Sequence, residues 1–186
     1  MFNRTRKNTR PQMSDLEIEF VVNLAKSYGH ILEFGSGRST VIWEKHFSKV
    51  TSLENRLEWY RKIEALLNSR KTEYLFCAPE SIAFDNYGNE LWNTRNPTDY
   101  GTLDEFKAYF NLAKKIVDDA QEDAVFFVDG NLRKEISEYI LNSRINAIVL
   151  LHDVIPEREY LNNWRFETSK NLNLVQIESL AVITNK

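Results

Sequence analysis

Cysteine is nearly missing from this chain: Cys77 stands alone among 186 residues. A single cysteine excludes an intrachain disulfide and suits a reducing compartment, so a cytoplasmic protein is expected. Its neighbours, Leu75-Phe76 and Ala78-Pro79, fit a buried strand end rather than an activated nucleophile. Long apolar runs are missing too. None is longer than Ala147 to Leu151, which is far too short to span a bilayer, and no membrane association is expected. No apolar stretch follows Arg4, Arg6, Lys7 and Arg10 before Leu16, so these cations do not open a secretion signal. Residues 1–13 read as a basic tail, either solvated or an arm to an anionic partner or a neighbouring subunit. A formal net charge of only -3 supplies no global field that would select nucleic acid or a membrane surface. Internal repeats and low-complexity segments are absent, and the length fits one domain with one substantial core, over residues 14–186.

What the chain does have is alternation. Short β-rich apolar segments take turns with longer amphipathic stretches, the pattern of an α/β three-layer sandwich with helices on both faces of a mostly parallel sheet. Ser14-Asp15 can cap a first helix that carries Leu16, Phe20, Val21 and Leu24 on one face. Strands are expected at His30–Phe34, Lys49–Glu54, Glu73–Ala78, Ala124–Val128 and Ala147–Leu151. Leu174–Ile177 and Ala181–Thr184 would close a seven-stranded sheet. Helices fall from about Ser39 to Phe47, around Trp59, Ile63, Leu66 and Leu67, at Asp104–Asp118, and around Ile136–Leu141. Residues 80–103 break the rhythm and read as a lid or acceptor-binding loop, with Trp92 and Tyr100 as candidate substrate contacts.

The sharpest local signal is Glu33-Phe34-Gly35-Ser36-Gly37-Arg38-Ser39-Thr40, after an apolar strand and at the start of a helix. Glycines let the backbone turn sharply and approach a ligand, and the helix N-terminus offers unpaired N–H groups. Thr40 stands where the dinucleotide fingerprint G-x-G-x-x-G needs its third glycine, so that fingerprint is incomplete. The second strand ends in Glu54, whose carboxylate can accept both hydroxyls of a ribose. The fourth and fifth strands end in Val128-Asp129-Gly130 and Leu151-His152-Asp153-Val154. In open α/β sheets, ligands bind outside the carboxyl ends of the strands, where these turns converge.

On these residues the chain resembles the class I S-adenosylmethionine-dependent methyltransferases, from about His30 to Thr184. Glu33-Phe34-Gly35-Ser36-Gly37 is similar to that family's first motif, and Glu54 to its ribose-binding acid. Phe126-Phe127-Val128-Asp129-Gly130 and Val149-Leu150-Leu151-His152-Asp153-Val154 look like the small O-methyltransferases, including the catechol type. Asp129…Arg133 and His152-Asp153-Val154…Arg158…Tyr160 look like enzymes acting on sugars or polysaccharides. The resemblance implies a Rossmann-like fold that binds S-adenosylmethionine. Glu33 would sit near its ammonium, Gly35, Ser36 and Gly37 would flank its carboxylate with Thr40 at the helix start, and Glu54 would clasp the ribose. Ala78 and Glu80 would border the adenine, and the methyl would point toward Asp129, His152 and Asp153.

The expected reaction is methyl transfer to a hydroxyl of a small molecule or carbohydrate. His152 could accept the hydroxyl proton. Alternatively, Asp129 and Asp153 could hold a divalent cation such as Mg2+. In the catechol-type relatives an Asp-Asn pair ligates magnesium; here Val154 follows Asp153, so one familiar ligand is missing. Arg133 reads either as a solvated helix-start cation or as a substrate contact. Nucleic acid is disfavoured as acceptor, since no basic cluster with interleaved aromatics lies inside the folded region. Blander readings stand beside these: the glycines as a tight turn, Glu54 as a helix cap, Asp129-Gly130 as a turn, and His152-Asp153 as a strand-end pair without catalysis. A homo-oligomer stays open. A nicotinamide-dependent oxidoreductase and a non-catalytic binding protein of the same fold are the rival functions.

Overall fold

A computed structural model describes residues 11–68, 70–80, 102–154, 166, 168 and 170–185. Trp92, Tyr100, Arg158, Tyr160 and most of the expected 80–103 loop lie outside these residues, as do the cations at positions 4 to 10. The elements run α1 (Asp15–Leu24), β1 (His30–Phe34), α2 (Arg38–His46), β2 (Lys49–Glu54), α3 (Leu57–Glu64), β3 (Thr72–Phe76) and α4 (Lys107–Asp118). There follow β4 (Ala124–Val128), α5 (Arg133–Ser143), β5 (Ile148–Leu151), β6 (Leu172–Ile177) and β7 (Leu180–Asn185).

The seven strands form one sheet in the order β3-β2-β1-β4-β5-β7-β6. Strands β1 to β5 pair in parallel, and β7 joins antiparallel to both β5 and β6. The chain leaves β1 toward β2 and β3, then returns to lay β4 on the other side of β1. That reversal opens a crevice at the carboxyl ends of β1 and β4, the place where such sheets bind ligands.

Side-chain alternation along each strand divides the core in two. Leu32, Phe34, Phe126, Val128, Val149, Leu151, Ala181 and Ile183 pack in one apolar cluster with Tyr109, Ala113 and Val117 of α4 and Ile136 and Ile140 of α5. Ile31, Val50, Val125, Phe127 and Leu150 form the other with Val21 of α1 and Trp43 of α2. Central parallel strands buried on both faces read as continuous apolar runs, which is why β4 and β5 were legible as strands.

Two expectations are corrected. In α1, Leu16 is 55% exposed and its neighbour Glu17 is buried. The swap follows from a capping box: Ser14 Oγ accepts from Glu17 N–H, while Ser14 N–H donates to the Glu17 carboxylate at 2.8 Å. Glu17 also accepts from Ser179 N–H (2.8 Å) and Ser179 Oγ (2.6 Å), so its burial is fully partnered. In α3, helix ends at Glu64 and only Ile63 of the expected apolar set is buried, with Leu66 48% exposed.

Candidate active site

The turn after β1 is built by close approach. Gly35 has φ of +92°, and a Cβ there would lie 2.3 Å from Gly130 N, so the β1 and β4 turns touch backbone to backbone. Two hydrogen bonds extend the strand ladders into the turns: Gly35 N–H to Leu53 O (2.9 Å) and Asp129 N–H to Phe34 O (2.8 Å). The helix that follows starts with Gly37 N–H donating to Thr40 Oγ1 at 3.0 Å.

Behind this turn sits Glu33, only 1% exposed. Its Oε1 accepts from Ser39 Oγ (2.7 Å) and Trp43 Nε1 (3.0 Å), and its Oε2 from Thr40 Oγ1 (2.5 Å) and Ser52 Oγ (2.6 Å). Burial pushes its pKa up to about 7 against the pull of these hydroxyls, and the nearby Asp129 charge adds to the rise. Glu33 therefore ties α2 and β2 to β1.

The turns at the ends of β1, β2, β4 and β5 surround a cavity of about 580 Å3, within the ~300–1,000 Å3 of small-molecule sites. Of the residues singled out in the sequence, Gly35, Ser36, Gly37, Glu54, Asp129, Arg133, His152 and Asp153 line it. Glu33, Thr40, Ala78 and Glu80 do not. Glu33 and Thr40 face each other behind the turn, whereas Glu80 follows the chain away from the sheet and donates its N–H to Glu105 O (2.9 Å). Among the other lining residues are Asn55, Trp59 and the segment Pro11-Gln12-Met13, which the sequence did not point to as part of a site. The sequence placed Trp59 only within a helix; it is 37% exposed and donates Nε1–H to Ser36 O at 2.6 Å.

Glu54 is 3% exposed, and four protein donors reach it. Oε2 accepts from Ser36 N–H (3.0 Å) and Ser36 Oγ (2.6 Å), and Oε1 from Asn55 N–H (3.0 Å) and Arg56 N–H (2.8 Å). Burial raises its pKa, opposed by these bonds. Ser36 Oγ also lies 2.6 Å from Tyr74 Oη.

On the other side of the cavity, Arg133 is only 5% exposed rather than solvated. Its guanidinium donates to Gly130 O (2.9 Å), His152 O (2.7 Å), Asp129 O (2.7 Å) and Asp129 Oδ1 (3.0 Å), and Nη2 lies 3.6 Å from Asp153 Oδ2. His152 is buried, with Nδ1 3.1 Å from Asp129 Oδ1 and Nε2 4.0 Å from Glu17 Oε2. Burial by itself would lower the His152 pKa. The Asp129 hydrogen bond, with the charges of Asp129, Asp153 and Glu17, outweighs it and raises the pKa. Glu17→Gln is expected to shift the His152 titration toward lower pH, read by NMR of the imidazole protons; an unmoved midpoint would exclude this coupling.

No protein-family model and no curated protein matches the chain. Solved structures do. A methyltransferase-like protein from Silicibacter pomeroyi aligns over 95% of this chain and 88% of its own, at 20% identity and a TM-score of 0.65. An O-methyltransferase from Bacillus cereus, solved in complex with SAH, aligns over 94% and 83% at 15% identity and a TM-score of 0.59. A tRNA (m1A58) methyltransferase from Aquifex aeolicus aligns over 95% and 71% at 13% identity and a TM-score of 0.54.

The fold is that of the methyltransferases. In this methyltransferase fold the cavity lies at the sheet reversal, and no helix among the described residues is long and apolar enough to cross a membrane.

Proposed function

We propose that this chain binds S-adenosylmethionine and transfers its methyl group to a hydroxyl of a small molecule or carbohydrate. The observation that carries the reading is the convergence in one cavity of the glycine turn, the β2 acid Glu54 and the acids Asp129 and Asp153. The two apolar clusters on opposite sheet faces support the three-layer sandwich, and the Bacillus cereus neighbour crystallised with SAH supports the cofactor.

The residues present fit this cofactor with one exchange. An ionised carboxylate offers about four acceptor positions, and four protein donors already reach Glu54. Ser36 Oγ can turn its proton to Tyr74, 2.6 Å away, and leave a Glu54 position to a ribose hydroxyl. Gly35 and Gly37 leave the turn without side chains, so a carboxylate can approach the N–H groups at the start of α2. The exposed part of Trp59 offers a flat apolar face for the adenine at the same wall. The bound cofactor supplies an electrophilic methyl on a sulfonium, and much of the acceleration comes from aligning the acceptor oxygen with it.

As the oxygen gains the methyl it must lose its proton. Asp129 and Asp153 line the cavity and can take it directly. His152 acts through Asp129, since Nδ1 faces that carboxylate and Nε2 is buried toward Glu17. The imidazole thereby fixes the Asp129 carboxylate and spreads its charge.

Calorimetric titration with S-adenosylhomocysteine is expected to give binding in the ~1–10 µM range, weakened about tenfold or more by Glu54→Gln. Thermal unfolding of the variant checks that it remains folded. Absence of wild-type binding, or a nicotinamide bound in its place, would overturn the cofactor reading. Methylation of tRNA or DNA by the purified protein, with no turnover of sugars or phenols, would overturn the acceptor class.

A further inference from the structure

We propose that Arg133 occupies, as a fixed cation, the place a divalent metal would take between Asp129 and Asp153, so that these acids work without metal. The inference builds on the cavity as a methyl-transfer site, but its central measurement does not depend on that activity.

Ligand atoms of Asp129, His152 and Asp153 do lie within 4.8 Å of one another, close enough to suggest an ion. Three features of the surroundings argue against one. First, the guanidinium Nη2 is 3.0 Å from Asp129 Oδ1 and 3.6 Å from Asp153 Oδ2, so positive charge already stands between the carboxylates. A magnesium ion bound by the same pair would sit about 2.1 Å from their oxygens, and so within a few ångströms of this buried cation. At that separation, with Arg133 5% exposed, like-charge repulsion is weakly screened.

Second, the carbonyls of Asp129, Gly130 and His152 point at Arg133, each accepting at 2.7 to 2.9 Å. They are thereby oriented toward the guanidinium. Third, the Asp129 oxygen nearest the arginine also faces His152 Nδ1 at 3.1 Å, an arrangement of donors around an acceptor rather than of ligands around an ion. The planar fork of arginine suits this task, reaching acceptors from both turns at once. Arg133 is therefore a positioning residue. It staples the β4 turn to the β5 turn and balances the charge of the two acids that face the acceptor.

Mn2+ binding, followed by the loss of the free-ion EPR signal, tests this on the full chain. Wild type is expected to bind no Mn2+ at this site at micromolar concentrations, and the S-adenosylhomocysteine affinity is expected to be the same in EDTA and in Mg2+. Arg133→Met removes the cation while keeping an unbranched apolar stem, and is expected to raise Mn2+ affinity about tenfold or more by taking the guanidinium charge away from between the two carboxylates. Stoichiometric micromolar Mn2+ binding by wild type that disappears in Asp153→Asn would overturn the proposal. So would a folded Arg133→Met with no gain in Mn2+ affinity. If Arg133→Met does not fold, the wild-type titration with its Asp153→Asn control decides alone. Failure of the methyl-transfer reading would show instead as absent S-adenosylhomocysteine binding, whatever the metal result.

Discussion

Replacing Glu33 with alanine is expected to destabilise the fold by about 3–5 kcal/mol, lowering the melting temperature by roughly 10 °C or more. The size follows from what would be stranded. Ser39, Thr40, Trp43 and Ser52 all donate to this carboxylate in a site sealed from water. Hydroxyls can turn to other partners, but the Trp43 indole is donor only, and Trp43 is completely buried. The costs are not additive, so the range lies below the sum of four lost bonds. Glu33→Gln is expected to be far milder. Its oxygen can keep Ser39 and Trp43, while its amide donates to the hydroxyls of Thr40 and Ser52. Calorimetric melting of both variants gives the comparison, and a Glu33→Ala protein as stable as wild type would refute the structural role.

The same pair separates protonation from packing. With its folded pKa raised to about 7 and an ordinary value of 4.5 when unfolded, Glu33 binds its proton more tightly in the native state. Its contribution is fully present below about pH 4.5, falls as pH rises, and is gone above about pH 7. Urea unfolding of wild type should therefore lose stability across that window relative to Glu33→Gln, which has no proton to lose. Parallel stability curves for the two proteins would exclude a raised pKa at this position.

The division between what could and could not be read from sequence follows from the range of the interactions. Strands β1, β2 and β4 were visible because alternation and β-branched or aromatic content are local. That Glu54, Asp129, His152 and Asp153 lie around one cavity was legible because a parallel α/β sheet brings its carboxyl-terminal turns together. Glu33 shows the limit of a motif. Its place before the glycines was legible, but the side chain alternates to the buried side, where Trp43, ten residues onward, and Ser52, on the next strand, hold it. The wall formed by Pro11-Gln12-Met13 had no signal, since the chain there lacks periodicity. Glu17 did have one: Ser14-x-x-Glu17 is a capping-box spacing, and only its second partner, Ser179, lies far off in sequence.

The two glycines of the turn look equivalent in sequence, and the structure separates them. Gly35→Ala is expected to cost at least about 3 kcal/mol, or to prevent folding, and to abolish S-adenosylhomocysteine binding. The added Cβ would lie 2.3 Å from Gly130 N and 2.4 Å from Gly130 Cα, at a φ of +92° that alanine adopts only with strain. Backbone is the obstacle, so no rotamer can relieve it. Moving the turns apart would strain the bonds that extend the ladders there, Asp129 N–H to Phe34 O and Gly35 N–H to Leu53 O. Gly37 is different. Its φ of -163° is ordinary extended backbone, and its Cβ would meet Ser39 Oγ at 3.2 Å, a side-chain atom able to give way. Gly37→Ala should therefore stay within about 1 kcal/mol of wild type. Gly130→Ala should fall between them, because its Cβ would lie 2.9 Å from Gly35 N and Cα and 3.0 Å from Phe34 O. Urea melts of the three variants rank them, and equal losses at Gly35 and Gly37 would show that contact between the two turns does not set the cost.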